Sequence, residues 1–208
     1  MKRILLLIAV SFGISVLFSG QGVEASEKEY YPSKEEIEEL NNELQNLVEE
    51  ANEKLSQGEE DVEVSSENLY LGFKVDDGKI LNSLSSSTNS NKVGIQAIGS
   101  KSYQAYVGNT TGFNFRHAVH GTFTWDGSIL NAITYVEDLT GPMYSKSAST
   151  TVQGVDGTIG RTAKIGKLTS KGTFTPLKWS PASFYTTLVV DFYAPTKSYK
   201  IITAKVNM

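Results

Sequence analysis

The spacing of apolar residues changes at residue 67, and that change sets the fold class on either side of it. Before it, Ile37, Leu40, Leu44, Leu47, Val48, Ala51 and Leu55 recur at intervals of three and four, which places them on one stripe of a helix. Beyond it no helical stripe is sustained. Apolar and polar residues alternate in short runs rich in Gly, Ser, Thr, Tyr and Phe, separated by turn signals. Such a chain builds antiparallel sheets.

The helix is expected over residues 33–57. Ser33 followed by Glu36 is a capping box, and Glu35, Glu36, Glu38 and Glu39 lie at the helix end that favours negative charge. Gly58 is a natural stop. A long polar helix with one apolar stripe is marginal alone in water. Its stripe is expected to pack on the β part, with self-association through a short coiled coil as the other use of the same residues. Residues 59–67 read as a solvated linker.

The strongest strand is Gly112–Trp125, where Phe113, Phe115, His117, Val119, Phe123 and Trp125 share one face and Asn114, Arg116, His120, Thr122 and Thr124 the other. Asp126-Gly127 turns it into Ser128–Glu137. Asp77-Gly78 is expected to join Tyr70–Val75 to Lys79–Leu84, and Asp156-Gly157 to join Ser149–Val155 to Thr158–Ile165. Thr186–Tyr193 and Lys200–Val206 flank Ala194-Pro195-Thr196-Lys197, with Leu188, Val190 and Phe192 facing inward opposite Ile202, Ala204 and Val206. Lys92–Ile98, Tyr103–Val107 and Gly172–Leu177 complete about nine to eleven strands, enough for an antiparallel β-sandwich preceded by one acidic amphipathic helix. Residues 82–91 (NSLSSSTNSN) read as a polar loop.

The charges divide at the same place. Residues 26–67 hold 15 acidic residues against 3 lysines, and residues 68–208 hold 7 acidic residues against 14 basic ones, so the net charge of −4 hides an acidic arm on a basic body. Residues 1–25 read as a secretory signal peptide: Lys2 and Arg3, an apolar run from Ile4 to Phe18, and a small residue, Ala25, before the expected cut. The product would be extracellular, with no membrane anchor after cleavage. The chain has no cysteine, so its stability must come from its core alone. Leader and composition resemble those of small exported proteins of Gram-positive bacteria, a likeness that gives no residue a role. The organisation expected is therefore signal peptide 1–25, acidic helical arm and linker 26–67, and basic all-β domain 68–208.

Catalytic signatures are sparse. The two histidines, His117 and His120, are three apart and point to opposite faces of a regular strand, so they cannot share a metal there. Glu137, Asp138, Asp191 and His120 remain as the groups from which a hydrolase could be built, provided they converge in one cleft. There is no G-x-S-x-G elbow, phosphate loop, zinc helix motif or dinucleotide fingerprint, and no cofactor is implied. The stretch 161–179 is different. It carries Arg161, Lys164, Lys167, Lys171 and Lys178 with Phe174 and Trp179 and no acidic residue. Cations beside aromatic faces suit an anionic polymer, a cell-surface polysaccharide or a protein partner, and nucleic acid is not expected outside the cell. Three functions follow as expectations: a non-catalytic binding module, an antagonist or toxin masked by its acidic arm, or a hydrolase using the carboxylates named above.

Overall fold

The computed structural model describes residues 33–74, 98–109, 115–142, 144–177 and 183–207. The expected leader, the Asp77-Gly78 turn, the strand at 79–84, nearly all of that at 92–98, the polar loop at 82–91, and Phe113 lie outside the described residues. So do Lys178 and Trp179.

Helix α1 (Lys34–Ser56) starts as its sequence dictates. The Glu36 amide donates to Ser33 Oγ at 3.1 Å, and the Ser33 amide donates to Glu36 Oε2 at 2.6 Å. It ends in a Schellman turn, with Gly58 N–H on the Leu55 carbonyl and Glu59 N–H on the Lys54 carbonyl. That turn needs the left-handed φ of 91° at Gly58. Leu44, Leu47, Val48 and Ala51 are buried in the same core as the strands. The stripe that a coiled coil would have used therefore faces the body.

The protein is mainly β, with two antiparallel sheets and one helix. The first sheet runs β1 (Asp61–Ser65), β2 (Leu69–Lys74), β3 (Ile98–Asn109), β4 (Arg116–Asp126), and β5 (Ile129–Ile133) and β6 (Val136–Thr140) both pair with the far side of β4. The second runs β7 (Tyr144–Gly154), β8 (Ile165–Pro176), β9 (Phe184–Tyr193), β10 (Ser198–Asn207). In both sheets spatial order follows chain order. Between them lie two aromatic clusters. Tyr103, Phe123, Phe192 and Tyr199 meet at centroid distances of 4.6–6.3 Å, and Phe174 stacks on Phe184 at 4.7 Å beside Phe115 and Tyr144.

α1 lies against β10, β1 and β2, where an edge of each sheet would otherwise be bare. Its Asn41 side chain acts as a substitute strand. The carboxamide donates to the Val206 carbonyl and accepts from the Val206 amide, both at 2.9 Å. Asn52 donates to the Ile201 carbonyl at 2.7 Å. These bonds satisfy part of the exposed edge of β10.

Four local expectations need correcting. Residues 59–67 are not simply a solvated linker: Asp61–Ser65 is β1, paired with β2, and Val62 and Val64 are buried. Two alternating valines among acids are sufficient for a five-residue edge strand once α1 covers it. Thr158–Ile165 is a loop up to residue 164, because the Asp156 carboxylate accepts the amides of Lys164 and Ile165 at 2.6 and 3.3 Å and closes residues 157–163 into a compact turn. Ile202 is exposed while Ile201 is buried, because a bulge between Ile201 and Thr203 shifts the alternation of β10 by one residue.

The fourth correction concerns Ser128–Glu137, which is two strands rather than one. At the break, Thr134 turns its carbonyl out of the ladder to accept the hydroxyl of Tyr103 at 2.8 Å. Its own hydroxyl takes over as acceptor for the Thr122 amide at 2.9 Å. Only a glycine opposite permits this: a Cβ on Gly121 would stand 2.2 Å from the Thr134 carbonyl oxygen. Gly121→Ala is expected to destabilise the protein by about 1–3 kcal/mol, since the obstructing atom is backbone. Urea unfolding of the two proteins measures this, and an unchanged midpoint would contradict the geometry.

Candidate functional site

Strand β8 alternates strictly. Gly166, Leu168, Ser170, Gly172 and Phe174 are buried, while Lys167, Thr169, Lys171 and Thr173 face outward. The registers with β9, β10 and β7 extend that outward face across the whole sheet. One row reads Lys200–Asp191–Lys167–Gln153, the next Thr203–Val189–Thr169–Thr151, the next Lys205–Thr187–Lys171–Ser149, and a further one Asn207–Tyr185–Thr173–Ser147. With strands ~4.8 Å apart and a rise of ~3.3 Å per residue, Lys167, Lys171, Lys200 and Lys205 mark the corners of a rectangle about 10 Å by 13 Å.

Asp191 sits inside one short side of this rectangle. Its carboxylate lies 3.9 Å from Lys167 Nζ, with only 13 % of its side chain exposed. Burial raises its pKa, and the nearby Lys167 charge offsets part of that rise. The other short side has Thr187 in the equivalent place and keeps its positive charge. Lys171 Nζ also lies 4.2 Å from the centre of the Tyr185 ring, so a cation and an aromatic surface stand together on this face. The rest of the face is hydroxyl-rich.

The residues expected at the site divide accordingly. Lys167 and Lys171 belong to the face. Arg161 and Lys164 are exposed in the loop between β7 and β8, at the end of the sheet. Phe174 is fully buried in the aromatic core and offers no surface to a ligand. Its even number sets it on the opposite side of β8 from Lys167 and Lys171, a parity that alternation alone reveals. Lys200, Lys205 and Tyr185 also belong to the face and lie outside the 161–179 stretch. They come from strands that pair beside β8, and pairing is not visible in a local run of basic residues.

The hydrolase residues do not converge. Asp138 is tied to Arg116 at 2.9 Å on the outer face of the first sheet, and His120 is on that same face. Glu137, the next residue along β6, takes the opposite side of the strand, and Asp191 is on the second sheet. Among the described residues no group of three His, Asp or Glu is placed to hold a metal. The outer face of the first sheet instead carries a structural network. Tyr106 lies flat over Gly72, its hydroxyl donates to Glu63 at 2.9 Å, and the Arg116 guanidinium covers its ring at 4.9 Å.

His117 is fully buried between the sheets. Its Nε2 is 2.9 Å from Ser170 Oγ and its Nδ1 2.8 Å from Thr186 Oγ1, and Thr150 donates to Ser170 at 2.8 Å. The neutral ring has one donor and one acceptor nitrogen, so it shares one hydrogen bond with each hydroxyl. A serine beside a histidine resembles a nucleophile and base, but both are sealed from solvent. Burial lowers the histidine pKa to about 4, so the ring is a neutral structural link between β4, β8 and β9.

The described ion pairs are Lys54–Glu50, Lys74–Asp61, Arg116–Asp138 and Lys167–Asp191, and none of these joins α1 to the lysine face. Comparison with known proteins finds no family model, no curated protein and no solved structure that matches this chain.

Proposed function

We propose that this chain is an exported, non-catalytic binding protein whose second sheet engages an anionic polymer or surface through its outer face. The observation that carries the reading is the shared placement of Lys167, Lys171, Lys200 and Lys205 on one hydroxyl-rich face with one carboxylate among them. A spacing of about 10 Å between strand-separated lysines suits successive charges of an extended polyanion. Neighbouring threonines and Tyr185 add hydrogen-bonding and stacking surface for a sugar or glycerol backbone. The masking role for α1 draws no support from the ion pairs above, and the helix has its own structural task in covering both sheet edges.

The test is binding to an immobilised glycerol-phosphate wall polymer, with a neutral glycan as control. A Lys171→Gln/Lys200→Gln/Lys205→Gln variant keeps the Lys167–Asp191 pair. At about 1 kcal/mol per lysine near an anionic surface, affinity should fall roughly a hundredfold, and wild-type binding should weaken steeply with salt. Equal binding by the variant, or no wild-type binding at low salt, overturns the proposal.

A further inference from the structure

Three of the four sheet edges are protected, each by a different device. The edge of β10 is bonded by Asn41 and Asn52 of α1. β1 is only five residues long, carries Asp61 and Glu63, and lies under α1. The β5–β6 edge is interrupted at Thr134-Tyr135 and bulged beside Trp125. Among the described residues, β7 has none of these. It runs eleven residues, Tyr144–Gly154, in unbroken register with β8, without proline or bulge and with Lys146 as its one charge. Ser145 to Ser149 are exposed on both sides of the strand, so the seam toward the first sheet stands open there. Among the described residues, the hydrogen bond from the first sheet onto this strand's backbone is a long one, Tyr135 Oη to the Thr150 carbonyl at 3.4 Å. Large apolar side chains border the edge: Tyr135 is 40 % exposed, and Val155, which follows β7 directly, is 52 % exposed. An edge strand of this length offers a row of unpaired N–H and C=O groups to any matching strand.

We infer that β7 pairs antiparallel with β7 of a second copy of this chain, joining two four-stranded sheets into one of eight strands. The sequence of β7 is self-complementary when Ser149 faces Ser149 of the second copy. In that register Ser147 faces Thr151 and Ser145 faces Gln153 on the outer side, each pair able to share a hydrogen bond. On the inner side Ala148 faces Thr150, and the Lys146 stem lies along Val152. No like charges meet, because the two Lys146 residues stand at opposite ends of the paired segment. The two-fold axis passes through Ser149, so the contact is closed and gives a dimer, not a fibre. Both lysine faces then lie on the same side of the continuous sheet. A ligand long enough to reach both gains from avidity without any new contact. The pairing itself does not depend on what those lysines bind.

Molar mass of the purified protein, measured by light scattering from micromolar to about 100 micromolar, tests the inference. The wild type should shift from monomer to dimer across that range. Ser149→Lys and Ser149→Asp each place like charges face to face and should weaken dimerisation at least tenfold, while unchanged circular dichroism shows that the exposed site leaves the fold intact. An equimolar mixture of the two variants should recover the dimer, since only this register sets position 149 against itself. A wild type that stays monomeric throughout overturns the self-pairing and leaves the edge to a strand of another protein. Variants that dimerise like the wild type, or a mixture that does not recover, overturn the register.

Discussion

Leu44→Ala is expected to lower the unfolding free energy by about 2–5 kcal/mol, the range for emptying a fully buried leucine site. Leu44 has no exposed surface and belongs to the core shared by helix and sheets. The neighbouring Leu47, Val48 and Ala51 are held on a rigid helix, which limits how far the site can collapse. Total stability for a domain of this size is of order 5–15 kcal/mol, so one substitution in the acidic helix should remove a large share of it. Asn41→Ala should add a smaller loss, because the Val206 amide and carbonyl each lose a partner. Urea unfolding followed by tryptophan fluorescence measures both. A Leu44→Ala protein within 0.5 kcal/mol of wild type would mean that the helix is an accessory, not a wall of the core. The same contacts mean that deleting the helix to expose the lysine face would compromise the fold, so charge substitution on α1 is the cleaner experiment.

Acidification gives the second large effect. The unfolded histidine titrates near pH 6.5, and His117 in the folded protein near pH 4. Between these values the unfolded chain binds a proton that the native protein refuses, so stability rises with pH in that window and is lost as pH falls. The full contribution is on the order of 3 kcal/mol, of which about 2 kcal/mol should disappear between pH 7 and pH 5. Protonation would also make both ring nitrogens donors, so the hydroxyl that donates to the neutral ring would lose its acceptor. His117→Leu removes the titration while costing stability at every pH. The readout is therefore the change in unfolding free energy from pH 7 to pH 5, large in the wild type and nearly flat in the variant. Equal slopes in the two proteins would assign the acid sensitivity to other groups.

Much of the fold can be read directly from residue spacing. The capping box at Ser33–Glu36, the stripe from Ile37 to Leu55, the alternation through Phe115–Trp125 and the turn at Ala194–Lys197 each express a local rule that the packed structure obeys. Where the reading fails, a distant partner decides. Val62 and Val64 form a strand because α1 and β2 are there to receive them. Thr134 leaves its ladder for the hydroxyl of Tyr103, a residue 31 positions earlier. The phase of β10 changes at a bulge with no glycine or proline to announce it. The candidate face follows the same pattern: Lys167 and Lys171 were visible as a run, whereas Lys200, Lys205 and Tyr185 join them only through strand pairing. Phe174 lies among the lysines in sequence, but the alternation of β8 puts it in the core.

The clasp between Asn41 and Val206 spans 165 residues, in a protein whose strands, β6 on β4 apart, pair with their neighbours in the chain. Most hairpins between successive strands can form early and cheaply, because they close short loops. The helix cannot: its berth is complete only when the last described strand has taken its place. During synthesis from the N-terminal end, α1 can meet β1 and β2 early but cannot complete its packing until β10 is in place. Full docking of α1 thus requires β10, and a chain halted before that strand would betray itself by an open seam and an incompletely docked helix.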